Sequence, residues 1–449
     1  MGLAATQRRT RTLIVGLGKT GLSCARFLAA HGEEIAITDS RERPPGLADL
    51  RELLPDAAVF LGGFSEEALK RADRVVLSPG IASDTPFVAK ARALGMPVLG
   101  DIELFAHYAH APVIGITGAN GKSTVTTLVG LMAERAGKRA RVGGNLGTPA
   151  LDLLKKDEPD LYVLELSSFQ LEITESLPCI AATVLNLSPD HMDRYAGMKD
   201  YAAAKARIFR HCRTAVLNRE DPWVRAMAPD LKRRVTFGLD VPAAGDYGVS
   251  GEGADLWLAK GGERLIPASV LRIQGRHNLA NALAALALGE AAGLPMEVML
   301  QELSEFRGLA HRMEFVATTG EVSYYDDSKG TNVGATRAAV QGLSQPLVLI
   351  AGGDGKGQDF APLADALVGK ARAVVLLGKD AELIERAVAG RVPVKRVKDM
   401  DTAVQVAASL AQAGDMVLLS PACSSLDMFE NFEHRGRVFA AAVRRLGGE

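Results

Sequence analysis

The chain has 449 residues, 47% of them apolar and 23% charged, and carries a formal net charge of −1. That length and composition give room for two to four globular domains with sizeable cores. Near-neutral charge with no strongly basic segment excludes a duplex nucleic-acid binder, which needs a cationic surface to displace counterions.

Cys24, Cys179, Cys212 and Cys423 are widely spaced, with no C-x-x-C pair. They are read as free thiols of a reducing compartment. The run TLIVGLG behind the N-terminal arginines is too short for a secretory core. The most apolar stretch, LANALAALALGEAAGLP (279–295), is interrupted by Asn281 and Glu290 and too short to span a bilayer. It is read as a buried helix, and the chain as a soluble cytoplasmic protein.

Along the chain, short apolar runs alternate with helical stretches: TLIVGLG, EIAITD, RVVLSPG, PVIGITG, LYVLELS, AATVLNL, TAVLN, PLVLIAGG, AVVLLG and DMVLLSPA. Continuous apolar strands separated by helices predict parallel sheets covered on both faces, an α/β chain whose ligands lie beyond the strands' carboxyl ends. Three blocks separate at residues 1–100, 101–308 and 309–449. The glycine-rich section 238–265 is read as a small antiparallel insert.

The first strand leads into Gly16-x-Gly18-x-x-Gly21, and Asp39 closes the next strand. This pattern fits recognition of a pyrophosphate and a ribose. It serves NAD or any other nucleotide diphosphate, and a glycine turn that only packs helix on strand has the same look. Gly80, in VVLSPGI, sits on a second strand-end loop nearby.

The second block opens with GITGANGKST, 115–124. It departs from G-x-x-x-x-G-K-[ST], because Ile116 stands where the first glycine belongs. Still, a strand feeds a helix there, Gly118 and Gly121 permit close backbone approach, Lys122 can reach terminal phosphates, and Ser123 or Thr124 can offer a hydroxyl to Mg²⁺. Glu165 ends an otherwise apolar strand, a costly place for a carboxylate unless it is paired or metal-bound. His191 lies just past another strand end, between Asp190 and Asp193. In MKDYAAAKARIFR, helical spacing puts Lys205 on one face with Tyr201, Ile208 and Phe209. That lysine either snorkels or is a reactive amine near the phosphates. In the third block, Asp327, Ser328 and Lys329 follow one strand, and Asp354 and Lys356 another. SPACSSLDMFENFEHRG (420–436) follows a third and is expected to open a helix at Ser424 or Ser425. Lysines beside a helix N-terminus suit a carboxylate ligand.

Assembled, these motifs resemble the Mur ligases of peptidoglycan synthesis over essentially the whole chain. Thr117 to Thr124 matches that family's T-G-x-N-G-K-[ST]-T loop. VGGNLG (142–147), LELSSFQLE (164–172), DHMDRY (190–195), DDSKGTN (326–332) and the 420–436 segment point to its D-glutamate-adding branch. The D-N-P-R motif usual in the diamino-acid-adding branch is not found.

The resemblance implies a Rossmann-like N-terminal domain, a central P-loop-type ATPase domain with a mainly parallel sheet, and a Rossmann-like C-terminal domain. It implies an ATP-dependent amide ligase, monomeric, acting on UDP-MurNAc-L-alanine and D-glutamate. The uridine diphosphate would fall to Gly18, Lys19, Thr20, Asp39, Ser40, Arg41 and Gly80, and the sugar diphosphate or its lactyl-alanine arm to Asn145 and Ser167. The ATP phosphates would fall to Gly118, Ala119, Asn120, Gly121, Lys122, Ser123 and Thr124. Adenine, ribose or phosphate contacts would come from Asn278, Arg312 and Asp327. Two Mg²⁺ would be organised by Ser123, Glu165, His191 and Lys205, the last as a carbamate. Lys329, Thr331, Lys356, Ser425, Leu426 and Phe432 would take D-glutamate. Two positions depart from the family's habit: Lys19 replaces a common apolar residue, and Gly330 a usual alanine. A nicotinamide dehydrogenase would account for the first glycine turn only. A non-catalytic nucleotide-binding regulator would leave the amino-acid site unused, and a folate-type polyglutamate ligase would leave the first block unexplained.

Overall fold

The computed structural model describes residues 9–228, 231–273, 275–343 and 345–447. Three sheets are built in chain order. The first contains β1 (Arg11–Val15), β2 (Glu34–Asp39), β3 (Ala58–Leu61), β4 (Arg74–Leu77) and β5 (Val98–Leu99). All are parallel, in the order β3-β2-β1-β4-β5. The order reverses at β1, so the ends of β1 and β4 open the crevice where such sheets take ligands.

The second sheet runs β14-β13-β12-β11-β10-β9-β6-β8-β7. Its strands are β6 (Val113–Thr117), β7 (Ala140–Gly144), β8 (Leu161–Glu165), β9 (Pro178–Val184), β10 (His211–Asn218), β11 (Arg234–Phe237), β12 (Tyr247–Ser250), β13 (Trp257–Lys260) and β14 (Glu263–Pro267). β6, β8, β9 and β10 are apolar and buried along most of their length, as strands covered on both faces must be. The antiparallel pairs are β12 with β13 and β13 with β14. The glycine-rich section is antiparallel, as its sequence led one to expect, and it extends one edge of this sheet. The helix Arg276–Ala291 packs with Lys122–Arg135 over this sheet, and most of its residues are buried.

The third sheet, β15-β16-β20-β17-β18-β19, has β15 (Glu314–Thr319), β16 (Val322–Asp326), β17 (Leu347–Ala351), β18 (Ala371–Leu376), β19 (Val394–Arg396) and β20 (Met416–Leu419). Only β15 runs antiparallel. Its helix begins at Phe432, not at Ser424 or Ser425. The serines sit in a loop where Ser424 bridges to Asp354 and Ala422 has φ +58°, so the chain turns helical only once Asn431 caps the amide of His434 at 2.7 Å.

The first two sheets share one apolar cluster, in which Phe27 meets Tyr108 and Phe105 meets Tyr162 edge-on. The third sheet has its own two clusters, built only from residues beyond 312. All four cysteines are buried and free; Cys179 and Cys212, distant in sequence, are register partners on β9 and β10. Among the described residues no helix is long and apolar enough to cross a membrane.

Candidate functional site

The turn after β1 is tightly built. Gly16 has φ +94°, and a Cβ on Gly21 would fall 2.0 Å from the carbonyl oxygen of Gly16, so only glycine lets the helix Lys19–Ala30 sit on its strand. Gly18 caps that helix with open space around it. Thr20 is half-buried, while Ser40, Arg41 and Gly80 are exposed around the same crevice. Asp39 differs from a free ribose acceptor. It is fully buried and takes hydrogen bonds from the Leu17 amide at 2.7 Å and from the Arg41 amide and guanidinium at 2.7–2.9 Å. Burial raises its pKa, but the Arg41 and Leu17 bonds outweigh this and hold it at about 2. Its carboxylate shapes the turn and orients Arg41. Lys19 reaches across to donate to the Gly147 carbonyl at 2.5 Å.

The phosphate loop lies between β6 and the helix Lys122–Arg135. Gly121 caps that helix with φ +83° and Gly118 has φ +149°. The amides of a helix's first turn have no partner within the helix, which makes such a loop an anion site. Lys122 Nζ donates to the carbonyls of Gly118 (3.0 Å) and Ala119 (2.9 Å). Burial lowers its pKa.

Beside the loop, Lys205 is 2% exposed. It does not snorkel. Its Nζ donates to Thr117 Oγ1 at 3.2 Å and to the Gly118 carbonyl at 3.0 Å, and lies 4.8 Å from the Tyr201 ring centre. Tyr201, Ile208 and Phe209 are buried with it, although the helix tightens to 3₁₀ geometry after Ala206. Burial, and then the neighbouring Lys122, push its pKa well below that of an ordinary lysine.

Glu165 ends β8 and is equally buried. Its Oε1 accepts from Asn145 Nδ2 at 2.7 Å, whereas Oε2 has no hydrogen-bond partner among the described residues. Asn145 itself is exposed, and Ser167 caps a short helical turn by accepting from the Gln170 amide. His191 holds φ +58° with its ring edge-on to Phe169 at 4.7 Å. Burial lowers its pKa to about 4, so the imidazole is neutral and able to bind a cation. The orphaned buried carboxylate oxygen of Glu165 and the Ser123 hydroxyl are hard oxygen donors that suit Mg²⁺, and the neutral imidazole adds a borderline nitrogen donor beside them.

These residues line a cleft of about 490 Å³, which also takes in Lys329, Thr331, Lys356, Leu426 and Phe432 from the third sheet. Ser425 is buried outside this cleft lining. Lys329 Nζ stands 3.7 Å from the Phe432 ring centre, and burial lowers its pKa to about 8. A second cavity of about 440 Å³ holds Gly121, Thr124, Asn278, Arg312 and Asp327, and both cavities include Asn120 and Arg312. Burial raises Asp327 to about 7 while Ser420 donates to it at 2.7 Å. A Cβ on Gly330 would sit 2.8 Å from that carboxylate and from Ser420 Oγ, so glycine is the residue this loop accommodates without a shift.

Sequence reasoning passed over three participants. Asn332, 2% exposed, exchanges hydrogen bonds with Asn120 (3.2 and 3.4 Å) and donates to Asp190 at 3.3 Å. Asp190 also faces Lys356 at 3.5 Å. His277, beside Asn278, lines the second cavity with a buried Nδ1 that lacks a partner among the described residues. The sequence signal for Asn332 was present, since an asparagine before a helical run is a cap.

Residues 10–100 match the Mur ligase MurD-like N-terminal domain, 116–289 the Mur ligase middle domain, and 311–423 the Mur ligase glutamate ligase domain. A UDP-N-acetylmuramoylalanine--D-glutamate ligase from Nitrosococcus oceani is 55% identical over 437 residues, 97% of this chain and 96% of its own. One of the same name from Methylococcus capsulatus is 54% identical, covering 98% and 95%. Among solved structures, UDP-N-acetylmuramate-alanine ligase MurC from Thermotoga maritima has a TM-score of 0.62 at 21% identity, covering 98% of this chain and all of that one. MurF ligase from Thermotoga maritima in complex with ADP has a TM-score of 0.62 at 15% identity, covering 99% and 97%. The last two share its fold.

Proposed function

The chain belongs to the Mur ligase family, and from that premise we propose that it joins D-glutamate to UDP-N-acetylmuramoyl-L-alanine at the expense of ATP. The observation that carries this reading is that two cavities flank one phosphate loop and share Asn120 and Arg312 in their linings. On one side lie Asn278, Arg312 and Asp327; on the other Glu165, His191 and Lys205 face Lys329, Thr331, Lys356 and Phe432. A nucleotide lying across Asn120 and Arg312 presents its terminal phosphate to the second cavity.

An amide does not form from a free carboxylate in water, so activation comes first. The L-alanyl carboxylate attacks the γ-phosphate of ATP, giving an acyl phosphate and ADP. The amine of D-glutamate attacks the acyl carbon, and inorganic phosphate leaves through a tetrahedral intermediate. The chain's contribution is positioning and charge neutralisation. The amides of Gly121 to Thr124, at the start of the helix, cradle the phosphates, while the Ala119 and Asn120 amides hold the loop to Asn186. Lys122 exchanges its carbonyl partners for phosphate oxygens, and Arg312 covers the far side. The glycine turn of the first sheet takes the uridine diphosphate, with Lys19, Thr20, Ser40, Arg41 and Gly80 around it and Asp39 holding the turn. Asn145 and Ser167 border the path of the lactyl-alanine arm. Lys329, Thr331, Lys356, Leu426 and Phe432 receive D-glutamate, with Ser425 shaping their loop from behind. The third block, joined to the central one by polar contacts through Asn332, closes to keep water from the acyl phosphate.

Ser123, Glu165, His191 and Lys205 would hold two Mg²⁺. Bound there, the ions neutralise charge on the phosphoryl oxygens. Burial and the neighbouring Lys122 push the Lys205 pKa well below that of an ordinary lysine, which favours the unprotonated amine that adds CO₂, with loss of a proton, to give an anionic oxygen donor. The deciding experiment is phosphate release from ATP with UDP-MurNAc-L-alanine and a panel of amino acids. D-glutamate alone should support turnover. Release with L-lysine or meso-diaminopimelate, but not with D-glutamate, refutes the assignment.

A further inference from the structure

Glu172 and Arg194 have no part in the roles above, yet each side chain is only 13% exposed, on the seam between the first and second sheets. The guanidinium of Arg194 donates to the Pro79 carbonyl at 2.9 Å, to the Ile81 carbonyl at 3.4 Å, and to Glu172 Oε2 at 2.7 Å. Its central carbon lies 3.9 Å from the Phe169 ring centre. Glu172 also accepts from Ser83 Oγ at 3.0 Å and from Tyr195 OH at 2.5 Å. One end of this assembly grips the loop after β4, because Pro79 and Ile81 flank Gly80. The other end is the turn that carries His191, closed by a bond from the Arg194 amide to the His191 carbonyl at 2.9 Å. Phe169 touches both, stacking under Arg194 and edge-on to His191.

The substrate carboxylate is set at a fixed reach from the diphosphate at the other end of the same molecule. The distance between the loop that grips the diphosphate and the centre that activates the carboxylate therefore decides whether the reacting atoms meet. We propose that Arg194, clamped by Glu172, is the positioning residue that sets this distance. The proposal rests on the UDP-sugar ligase reading above. Two carbonyls, a carboxylate and an aromatic face suit the planar five-donor fork of arginine and not the point charge of lysine.

The test uses the full chain with Arg194→Lys and Glu172→Gln. Steady-state kinetics give kcat and KM for UDP-MurNAc-L-alanine, and calorimetry gives the affinity for UDP alone and for ADP alone. A misplacement of about 1 Å costs about 10²-fold, so Arg194→Lys should lose about that factor in kcat with the complete substrate. Affinities for the fragments, which do not span the seam, should stay within about twofold. Glu172→Gln, nearly isosteric, should lose less in the same direction, and it carries the test if the arginine variant does not fold. Wild-type kcat in both variants would overturn the proposal, as would an equal loss of affinity for UDP alone, which marks a merely structural role. A wild-type protein that releases no phosphate with D-glutamate overturns the underlying function and the proposal together. An active wild type with unaffected variants overturns the proposal alone.

Discussion

Replacing Lys205 by methionine separates what this residue does for the fold from what it does for the reaction. The residue is 2% exposed, and among the described residues its amine bonds only to Thr117 Oγ1 and the Gly118 carbonyl. Neither partner depends on it. The Thr117 hydroxyl donates to the Leu166 carbonyl at 2.6 Å, and the Gly118 carbonyl still accepts from Lys122 at 3.0 Å. Methionine has nearly the same length and leaves no buried polar group stranded. Losing the two bonds costs about 1–3 kcal/mol. Removing the desolvation of an amine whose pKa burial has driven far down offsets that cost. The net change should be within about 1 kcal/mol, a shift of roughly 2–4 °C or less in the melting of the central unit. Turnover, by contrast, should fall by about 10²–10³-fold or more, as when a preorganised charge-stabilising group is lost. Scanning calorimetry and phosphate release measure the two effects on one sample. Lys205→Ala, which leaves space, should recover part of its activity with added short carboxylates. A methionine variant with wild-type turnover would refute the carbamate, and one destabilised by more than about 3 kcal/mol would refute the claim that the amine is a burden on the fold.

Gly121→Ala places a Cβ 2.3 Å from Asn281 Oδ1 at φ +83°. The left-handed conformation alone costs about 1–2 kcal/mol, so ADP affinity by titration calorimetry should fall about tenfold or more. Asp101 is buried with Oδ1 unpartnered, and burial raises its pKa to about 6. The folded state therefore keeps its proton between about pH 4 and 6 while the unfolded state releases it, so stability falls as pH rises through that window, by up to about 3 kcal/mol. Urea midpoints against pH should show this slope, and Asp101→Asn should abolish it. Arg435, 2% exposed, donates to Ser328 Oγ, the Ser328 carbonyl and the Cys423 carbonyl. Arg435→Met strands the two carbonyls at about 1–3 kcal/mol each. It should also raise the KM for D-glutamate, because Ser328 anchors the loop that bears Lys329.

Much of the site was legible in the chain because its signals are local. Apolar runs marked β6, β8 and β9, and the residues just past each strand fell at the ligand edge. The strand, the glycines at 118 and 121 and the helix beginning at Lys122 specify a phosphate loop without reference to anything distant. Helical spacing put Lys205 on the apolar side of its helix. Tertiary structure decided which local signals meet, and in what state. The sequence offers Asp39 as a ribose acceptor, but the folded turn occupies its oxygens with Leu17 and Arg41. It offers Ser424 and Ser425 as helix starts, but the Asp354 bridge postpones the helix to Phe432. Asn332 reads as a cap, and only docking of the third block against the phosphate loop makes it a partner of Asn120 and Asp190. Arg194 reaches Pro79 across 115 residues of sequence. Periodicity and turn chemistry extend over one or two elements, whereas a hydrogen bond across a seam depends on where two separately specified units come to rest.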